Sequence, residues 1–458
     1  MSAPTSRRTP RTVAVTSGAI ALGLVLAACG GSPAADGGGG GQAAGGPECA
    51  AYTQYGDLSG TTVSVYTSIV APEDQSHIDS YDAFENCTGA TIEYEGSREF
   101  EAQLQVRISG GNAPDLAYIP QPGLLSTLVQ DTGSVVAVPQ AAAANVDQYF
   151  PETYREAGSV DGTLYATPLG ANVKSYVWYS PQQFTERGYT VPTTWDEMIA
   201  LSDSIAAEGN TPWCAGIESG DATGWPLTDF TEDAMLRTAG PDVYDQWVAH
   251  EIPFNDPQVA TALDRVGSIL KNPAYVGDVT AIATTSFGDA GLPILDGACF
   301  MHRQANFYAA NWPEGTDVSE NGEVFAFPLP PIDPALGETI LVGGEFVAAF
   351  ADRPEVQAFQ AYLSSPEWAN EKAKATTALE QTGWISANTG LDTANLLSPI
   401  DVNSVEILQD PENEFRFDGS DLMPGAVGSG TFWTAMTNWV TGASTADALN
   451  LVESSWPQ

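Results

Sequence analysis

Thr61-Thr62-Val63-Ser64-Val65-Tyr66, Ala90-Thr91-Ile92-Glu93-Tyr94 and Asp115-Leu116-Ala117-Tyr118-Ile119 are three short β-prone runs, and what lies between them decides the fold. Helical sequence fills 71–86 between the first two. A second helix is predicted over 100–108, with Phe100, Leu104 and Ile108 on one face. Pro120-Gln121-Pro122-Gly123 stops the third strand. Strands separated by helices imply an α/β fold with a parallel sheet covered on both faces. Ligands of such sheets gather at the carboxyl ends of the strands, so the loops 67–73, 96–99 and 120–123 are the places to look for a site.

The same alternation continues downstream. Ser175-Tyr176-Val177-Trp178-Tyr179 is strongly β-prone. Thr194 is placed to N-cap a helix over 195–207, with Glu197 completing a capping box. Further strands are expected at 214–217, 298–302 and 338–350, and the C-terminal third reads as mostly helical. No internal repeat, heptad run or block of like charge occurs.

Upstream, a basic start (Arg7, Arg8, Arg11) precedes an apolar, Gly/Ala-rich stretch over 13–28. It is short for a membrane span and has the order of an export signal. The run Leu26-Ala27-Ala28-Cys29 resembles the lipobox of bacterial lipoproteins, which implies a signal peptide over 1–28 and a lipidated Cys29. Residues 29–48 are nearly all Gly, Ala, Ser and Pro, the composition of a tether. As a flexible coil of 18 residues it reaches roughly 20–25 Å. An exported protein, lipid-anchored to the outer face of the cytoplasmic membrane, is therefore expected.

About 410 residues follow the tether, enough for two domains or one two-lobed body. The chain carries 16 basic and 58 acidic residues, a net charge of −42. Such a field repels nucleic acid and anionic headgroups and disfavours an anionic ligand; a neutral or cationic small molecule fits it better. The competing reading is solubility or salt adaptation of an exported surface. Apart from Cys29 there are four cysteines, Cys49, Cys87, Cys214 and Cys299, an even number that suggests two disulfides with three possible pairings. No C-x-x-C occurs and the three histidines (His77, His250, His302) are far apart, so neither a metal site nor any other cofactor is expected.

The run 63–123, with Asn86-Cys87-Thr88-Gly89 closing the first helix and Gly110-Gly111-Asn112-Ala113-Pro114-Asp115-Leu116 entering the third strand, resembles the first lobe of family 1, maltose-binding-protein-like solute-binding proteins of sugar ABC transporters. Gly224-Trp225-Pro226-Leu227-Thr228-Asp229-Phe230 resembles a Trp-Pro segment of that family's second lobe. Asp296-Gly297-Ala298-Cys299-Phe300-Met301 resembles its helix-to-strand junction, and Gly430-Thr431-Phe432-Trp433 its aromatic segment. The resemblance runs from Cys49 to Gln458 and is strongest to α-glucoside binders. It implies the two-lobed, type II periplasmic-binding-protein fold, with lobe 1 at 49–172 and 343–388 and lobe 2 at 173–342 and 389–458. The chain would cross between lobes near 172–179, 340–347 and 388–397. On that division Cys49–Cys87 and Cys214–Cys299 are the favoured pairs, since each stays within one lobe.

The implied activity is capture of an oligosaccharide or α-glucoside by hinge closure and delivery to membrane permease subunits. Sugars need flat aromatics for their C–H faces and planar polar groups for their hydroxyls. Trp433 corresponds to a sugar-stacking tryptophan of the family; its competing reading is a core aromatic, as is expected of Trp439. The other candidates follow from position. Ser68 and Glu73 lie in the first strand-end loop, Arg98 and Glu99 in the second, and Gln121 in the third. Lys174 sits at a crossing, Glu218 and Asp221 flank Ser219-Gly220, Arg303 follows a strand, and Glu345 follows Gly343-Gly344. Each competes with an ordinary structural role, such as an exposed ion pair, a helix start or a solvated loop.

A glycosidase is the enzymatic alternative, since 58 acidic residues make carboxylate pairs abundant, yet no local signature selects one. No G-x-S-x-G occurs, and Gly37–Gly41 lacks the Lys-Ser/Thr of a phosphate loop. A polyol or polyamine binder of the same fold is the nearest non-enzymatic alternative. The expectation is a binder and not an enzyme.

Overall fold

The computed structural model describes residues 46–337, 339–410 and 412–457. The stretch expected to be a signal peptide (1–28), Cys29 and most of the expected tether lie outside them. The described chain begins in a 3-10 helix at Pro47–Tyr55, which packs Tyr52 against Phe84 and Tyr362.

The strands are β1 (Thr62–Thr67), β2 (Thr91–Gly96), β3 (Leu116–Ile119), β4 (Ala166–Pro168), β5 (Asn172–Val173) and β6 (Tyr176–Tyr179). They continue with β7 (Met301–Arg303), β8 (Phe325–Pro328), β9 (Ile340–Gly343), β10 (Phe346–Ala349) and β11 (Phe415–Phe417). The first sheet has the order β2-β1-β3-β10-β4. Its first three strands are parallel, as the strand–helix alternation implies. The chain re-enters this sheet from the far side, so β10 runs antiparallel to β3 and to β4. The parallel sheet is thus only three strands wide. A second sheet, β8-β6-β7, is wholly antiparallel, and a third, β11-β9-β5, pairs β9 with β5 and with β11.

Most local readings are met. Helix α1 (Asp74–Asp79) and α2 (Asp82–Thr88) replace the single helix expected over 71–86, because the chain breaks at Ser80, whose hydroxyl donates to the His77 carbonyl. Helix α3 (Phe100–Ser109) buries Phe100, Leu104 and Ile108 as predicted. Helix α4 (Pro122–Thr132) starts directly after β3, with Pro122 in its first turn. Helix α5 (Trp195–Ala207) is capped by the Thr194 hydroxyl, which accepts from the Glu197 amide at 3.2 Å. The Glu197 carboxylate reaches back to the Thr193 amide at 2.8 Å.

Three strand readings need correction. Residues 214–217 form no ladder: the Cys214 amide donates to Met301 and the Ile217 amide to Ile282, different partners at the two ends. The run expected at 298–302 begins only at Met301, after Gly297 at φ +67°. The run expected over 338–350 splits into β9 and β10 at Gly344-Glu345, where a Cβ on Gly344 would lie 2.4 Å from the Gly170 carbonyl. Each half joins a different sheet. Both disulfides, Cys49–Cys87 and Cys214–Cys299, form, with Cα separations of 5.1 and 5.5 Å.

Candidate functional site

A cavity of about 230 Å³ opens at the carboxyl-end loops of the first sheet. The loops at the carboxyl ends of β1, β2 and β3 contribute Ser68 and Glu73, Arg98, and Gln121. The chain at and just after β5 contributes Asn172 and Lys174, and the break between β9 and β10 contributes Glu345. Opposite them stand Trp225 and Asp229 of α6 (Trp225–Thr238), together with Phe287, Phe307 and Asn311. Later chain adds Lys372 of α7 (Pro366–Ala378), Trp384, Asp421 and Trp433, the first residue of α8 (Trp433–Val440).

The aromatic wall is set by close packing. Gly224 holds φ +118°, and a Cβ there would meet the Trp433 carbonyl at 2.3 Å, so the starts of α6 and α8 lie against each other. Trp225 packs edge-on to Phe287 (5.2 Å between centroids) and tilted against Phe307 (5.9 Å). Trp433 is 3% exposed and its Nε1 has no hydrogen-bond partner among the described residues. The Trp433 ring is buried, and it also lines the cavity. Trp439 is core, as expected, and its Nε1 donates to Thr445.

The polar wall beneath Trp225 is ionic. Helix α6 is buried on nearly every side, yet Asp229, Asp233 and Arg237 recur at four-residue spacing along one stripe, with Glu232 beside it. Buried charges need partners. Lys174 supplies its ammonium to Asp229 (3.2 Å), Asp418 and Asp421 (3.7 Å). Arg303 bridges Asp229 (3.4 Å) and Asp233, and Arg237 holds Asp233 at 2.7 Å. The Glu232 carboxylate accepts from the Gly419 and Ser420 amides and the Tyr244 hydroxyl. Burial opposes the charge on Lys174, but its three carboxylates outweigh it and hold the ammonium well above its usual range. Burial pushes Asp229 up to about 7 against the pull of Lys174. Asp418 goes the other way: Lys174 and hydrogen bonds overcome burial and keep it below the usual carboxylate range.

The opposite end of the cavity is built on Lys372, which is 1% exposed. Its Nζ donates to Ser76 Oγ (2.8 Å) and Thr376 Oγ1 (3.1 Å) and lies 4.8 Å from the centre of the Trp384 ring. Burial lowers it to about 7, opposed by Glu73, Glu345 and Asp401. Burial and the Glu345 charge raise Glu73 to about 7, and burial also raises Glu345. Gln121 donates to Glu101 at 3.3 Å, leaving its Oε1 unpartnered; Trp384 Nε1 and Asn311 Nδ2 are likewise unpartnered among the described residues.

Of the residues singled out in the sequence, Ser68, Glu73, Arg98, Gln121, Lys174, Glu345 and Trp433 come together on this cavity. Arg303 does not; it lies beneath the wall, consumed by Asp229 and Asp233. Glu218 turns back to accept from the Gly220 amide at 2.9 Å, and its backbone pairs with the Phe287 segment. Glu99 and Asp221 do not line the cavity; they meet each other next to its lining residues Arg98 and Ala222, and the Asp221 charge holds the Glu99 carboxyl above its usual range. The Gly220 turn abuts Arg98 there, 3.1 Å from a Cβ position to its carbonyl. Trp225, Asp229, Lys372, Trp384 and Asp421 were not singled out. A signal existed for Trp225, since Gly-Trp-Pro places the ring at a helix start. For Lys372 and Trp384, far along the chain, none did. Among the described residues no His/Cys/Asp/Glu group could hold a metal, and no helix is long and apolar enough to cross a membrane.

The family model for bacterial extracellular solute-binding proteins matches residues 71–370. The osmoprotective compounds-binding protein GgtB of Synechocystis is 41% identical over 407 residues, 88% of this chain and 94% of that protein. The alpha-glucosides-binding periplasmic protein AglE of Rhizobium meliloti is 36% identical over 412 residues, 87% of this chain and 88% of that one. Among solved structures, the bacterial solute receptor AcbH superposes with a TM-score of 0.74 at 16% identity, over 86% of this chain and 98% of its own. RafE in complex with raffinose superposes with a TM-score of 0.68 at 17% identity, over 86% and 98%. At such identities the two structures establish a shared two-lobed fold.

Proposed function

The chain belongs to the bacterial extracellular solute-binding protein family, and from that membership we propose that it is the sugar-capturing subunit of an ABC importer, taking an α-glucoside or short oligosaccharide between its lobes. It is a binding protein and not an enzyme, as the family and both long relatives are by name. The observation that carries the ligand class is the cavity itself. Three tryptophans, Trp225, Trp384 and Trp433, stand among buried carboxylates, lysines and amides, with indole N–H and amide groups left unpartnered. Aromatic faces beside convergent, unsatisfied polar groups suit a neutral polyhydroxylated ring.

The proposed lobes are 49–172 with 343–388, and 173–342 with 389–458. The membership of β10 in the first sheet and of β6, β7 and β8 in the second supports that division. Closure about the crossings would remove water from the ligand, and the closed form would be read by permease subunits. It shifts the population only as far as the ligand prefers that form. Ser68, Glu73, Arg98, Gln121, Glu345 and Trp433 are proposed ligand contacts. Lys174, Glu218 and Arg303 are proposed to position the walls, and Glu99 and Asp221 to face each other beside the cavity. Cys29 would carry the lipid that holds the protein at the outer face of the cytoplasmic membrane.

A second reading, a polyol or other compact osmolyte, is favoured by one observation: a cavity of about 230 Å³ is below the ~300–1,000 Å³ of drug-sized sites. GgtB, by its name, binds osmoprotective compounds. A thermal-shift panel of trehalose, sucrose, maltose, methyl α-D-glucoside, polyols and polyamines tests both. Ligand at about 100 times its Kd adds roughly 2.7 kcal/mol. A sugar shift that disappears in Trp433→Ala supports the first reading, a polyol shift alone supports the second, and a polyamine shift alone refutes both.

A further inference from the structure

Two lysines reach the cavity, and they differ in how their donors are used. An ammonium has three hydrogens and no acceptor. Lys174 donates to the carboxylates of Asp229 and Asp418, and a third carboxylate, Asp421, stands 3.7 Å from the same nitrogen, so its charge is fully answered within the protein. Lys372 faces none within ion-pair distance among the described residues. Its two hydrogen bonds go to the hydroxyls of Ser76 and Thr376, so in its ammonium form, which the neighbouring Glu73 and Glu345 charges favour, one hydrogen remains. A 1% exposed amine with a spare donor is costly unless something completes it. Lys372 nevertheless lines the cavity, under the face of Trp384 and beside the carboxylates of Glu73 and Glu345.

Resting on the sugar reading above, we propose that Lys372 is a specificity-determining ligand donor, and that with Glu73 or Glu345 it grips two neighbouring hydroxyls at one end of the sugar. One hydroxyl oxygen takes the free hydrogen of Lys372. The adjacent hydroxyl gives its own hydrogen to the carboxylate of Glu73 or Glu345, while Trp384 covers the C–H face. Gly170 has no side chain where a Cβ would lie 2.5 Å from Glu345 Oε2 and 3.5 Å from Trp384 Nε1, which keeps this corner open to a ring. An anion would meet the two carboxylates and be rejected, and a lone cation would meet Lys372. A vicinal pair of neutral hydroxyls satisfies both partners. The groups facing Lys372 are Glu73 beside α1, Glu345 of the crossing, Asp401, and His77, which burial and Lys372 keep neutral.

The test is calorimetric titration of the purified protein with methyl α-D-glucoside, sucrose and trehalose, then with the monodeoxy forms of methyl α-D-glucoside. A hydrogen bond involving a charged group is worth ~1.5–3 kcal/mol, or about 10- to 150-fold in Kd. One deoxy position, or two adjacent ones, should weaken binding by that factor. Lys372→Met should weaken the parent sugar equally while removing the penalty at that same position. Lys372→Gln, which keeps a donor, should recover part of the loss. The deoxy series on the unaltered protein stands even where a variant fails to fold. If no single deoxygenation costs more than threefold, or Lys372→Met binds like the parent protein, the assignment of Lys372 is wrong and the sugar reading stands. If none of the three sugars binds the unaltered protein, the sugar reading fails and takes this assignment with it.

Discussion

Replacing Lys174 by Met would leave Asp229, Asp418 and Asp421 around an uncharged stem of similar length. All three carboxylates are buried, and Lys174 is the cation they share at 3.2 Å, at close contact and at 3.7 Å respectively. Removing one partner of a buried pair costs ~3–5 kcal/mol, because it strands charge in a medium that cannot solvate it. With about 2.1 cal/mol/K of unfolding entropy per residue, the folded body of about 410 residues loses ~1 °C of Tm for each 0.9 kcal/mol, hence about 4–6 °C. Acid distinguishes this mechanism from lost packing. The stranded carboxylates regain neutrality by binding protons, so the Tm deficit at pH 7.5 should shrink at pH 5. Adding Asp418→Asn, which removes the carboxylate most dependent on Lys174, should restore part of the loss. Differential scanning calorimetry of the parent, the single variant and the double variant at both pH values is the assay. A deficit under 1 °C at pH 7.5, or one equal at pH 5, refutes the reasoning.

Two further predictions concern conformation and pH. Gly224→Ala should lower stability and weaken sugar binding together, because its Cβ would overlap the Trp433 carbonyl at 2.3 Å and push the two indoles apart. Gly209→Ala, also at positive φ but with nothing within 4 Å, should show only the ~1–2 kcal/mol backbone penalty and unchanged binding; equal behaviour of the two variants would contradict the packing account. Asp401, buried while both its oxygens accept from the Gly383 amide (3.0 and 2.9 Å), is raised by burial from 3.8 to about 7. A carboxyl whose folded value is raised contributes stability present in full below the unfolded value and lost as pH climbs through the folded one. Stability should therefore fall between pH 4 and 7.5, by up to ~1.4 kcal/mol per pH unit from this group. Urea midpoints of Asp401→Asn should show a shallower fall than the parent, and identical slopes would remove Asp401 from the account.

Much of the first sheet could be read from local pattern. Val63 and Val65 alternate with Thr62 and Ser64, Phe100, Leu104 and Ile108 recur at helical spacing, and Thr194 caps α5 through atoms three residues away. These signals act over a few residues, so no tertiary knowledge is needed to see them. The strand-end loops followed from the parallel order of β1–β3, and they contributed Ser68, Glu73, Arg98 and Gln121 to the cavity. Composition and charge likewise belong to the chain alone, as does the Leu26-Ala27-Ala28-Cys29 run.

Tertiary structure decided the rest, because partners distant in sequence set it. The strand over 338–350 broke where Gly344 meets Gly170, a contact no local pattern encodes. Arg303 left the cavity because it is buried against Asp229 and Asp233, some 70 residues away in sequence, the paired carboxylates a buried guanidinium needs. Lys174 is spoken for by Asp418, 244 residues on, whereas Lys372 is buried against the hydroxyl of Ser76, 296 residues back. Local periodicity and capping determined β1–β3 and helices such as α3 and α5. Which charges are satisfied, and which are left to receive a ligand, depends on low-dielectric pairings that exist only once the chain has closed on itself.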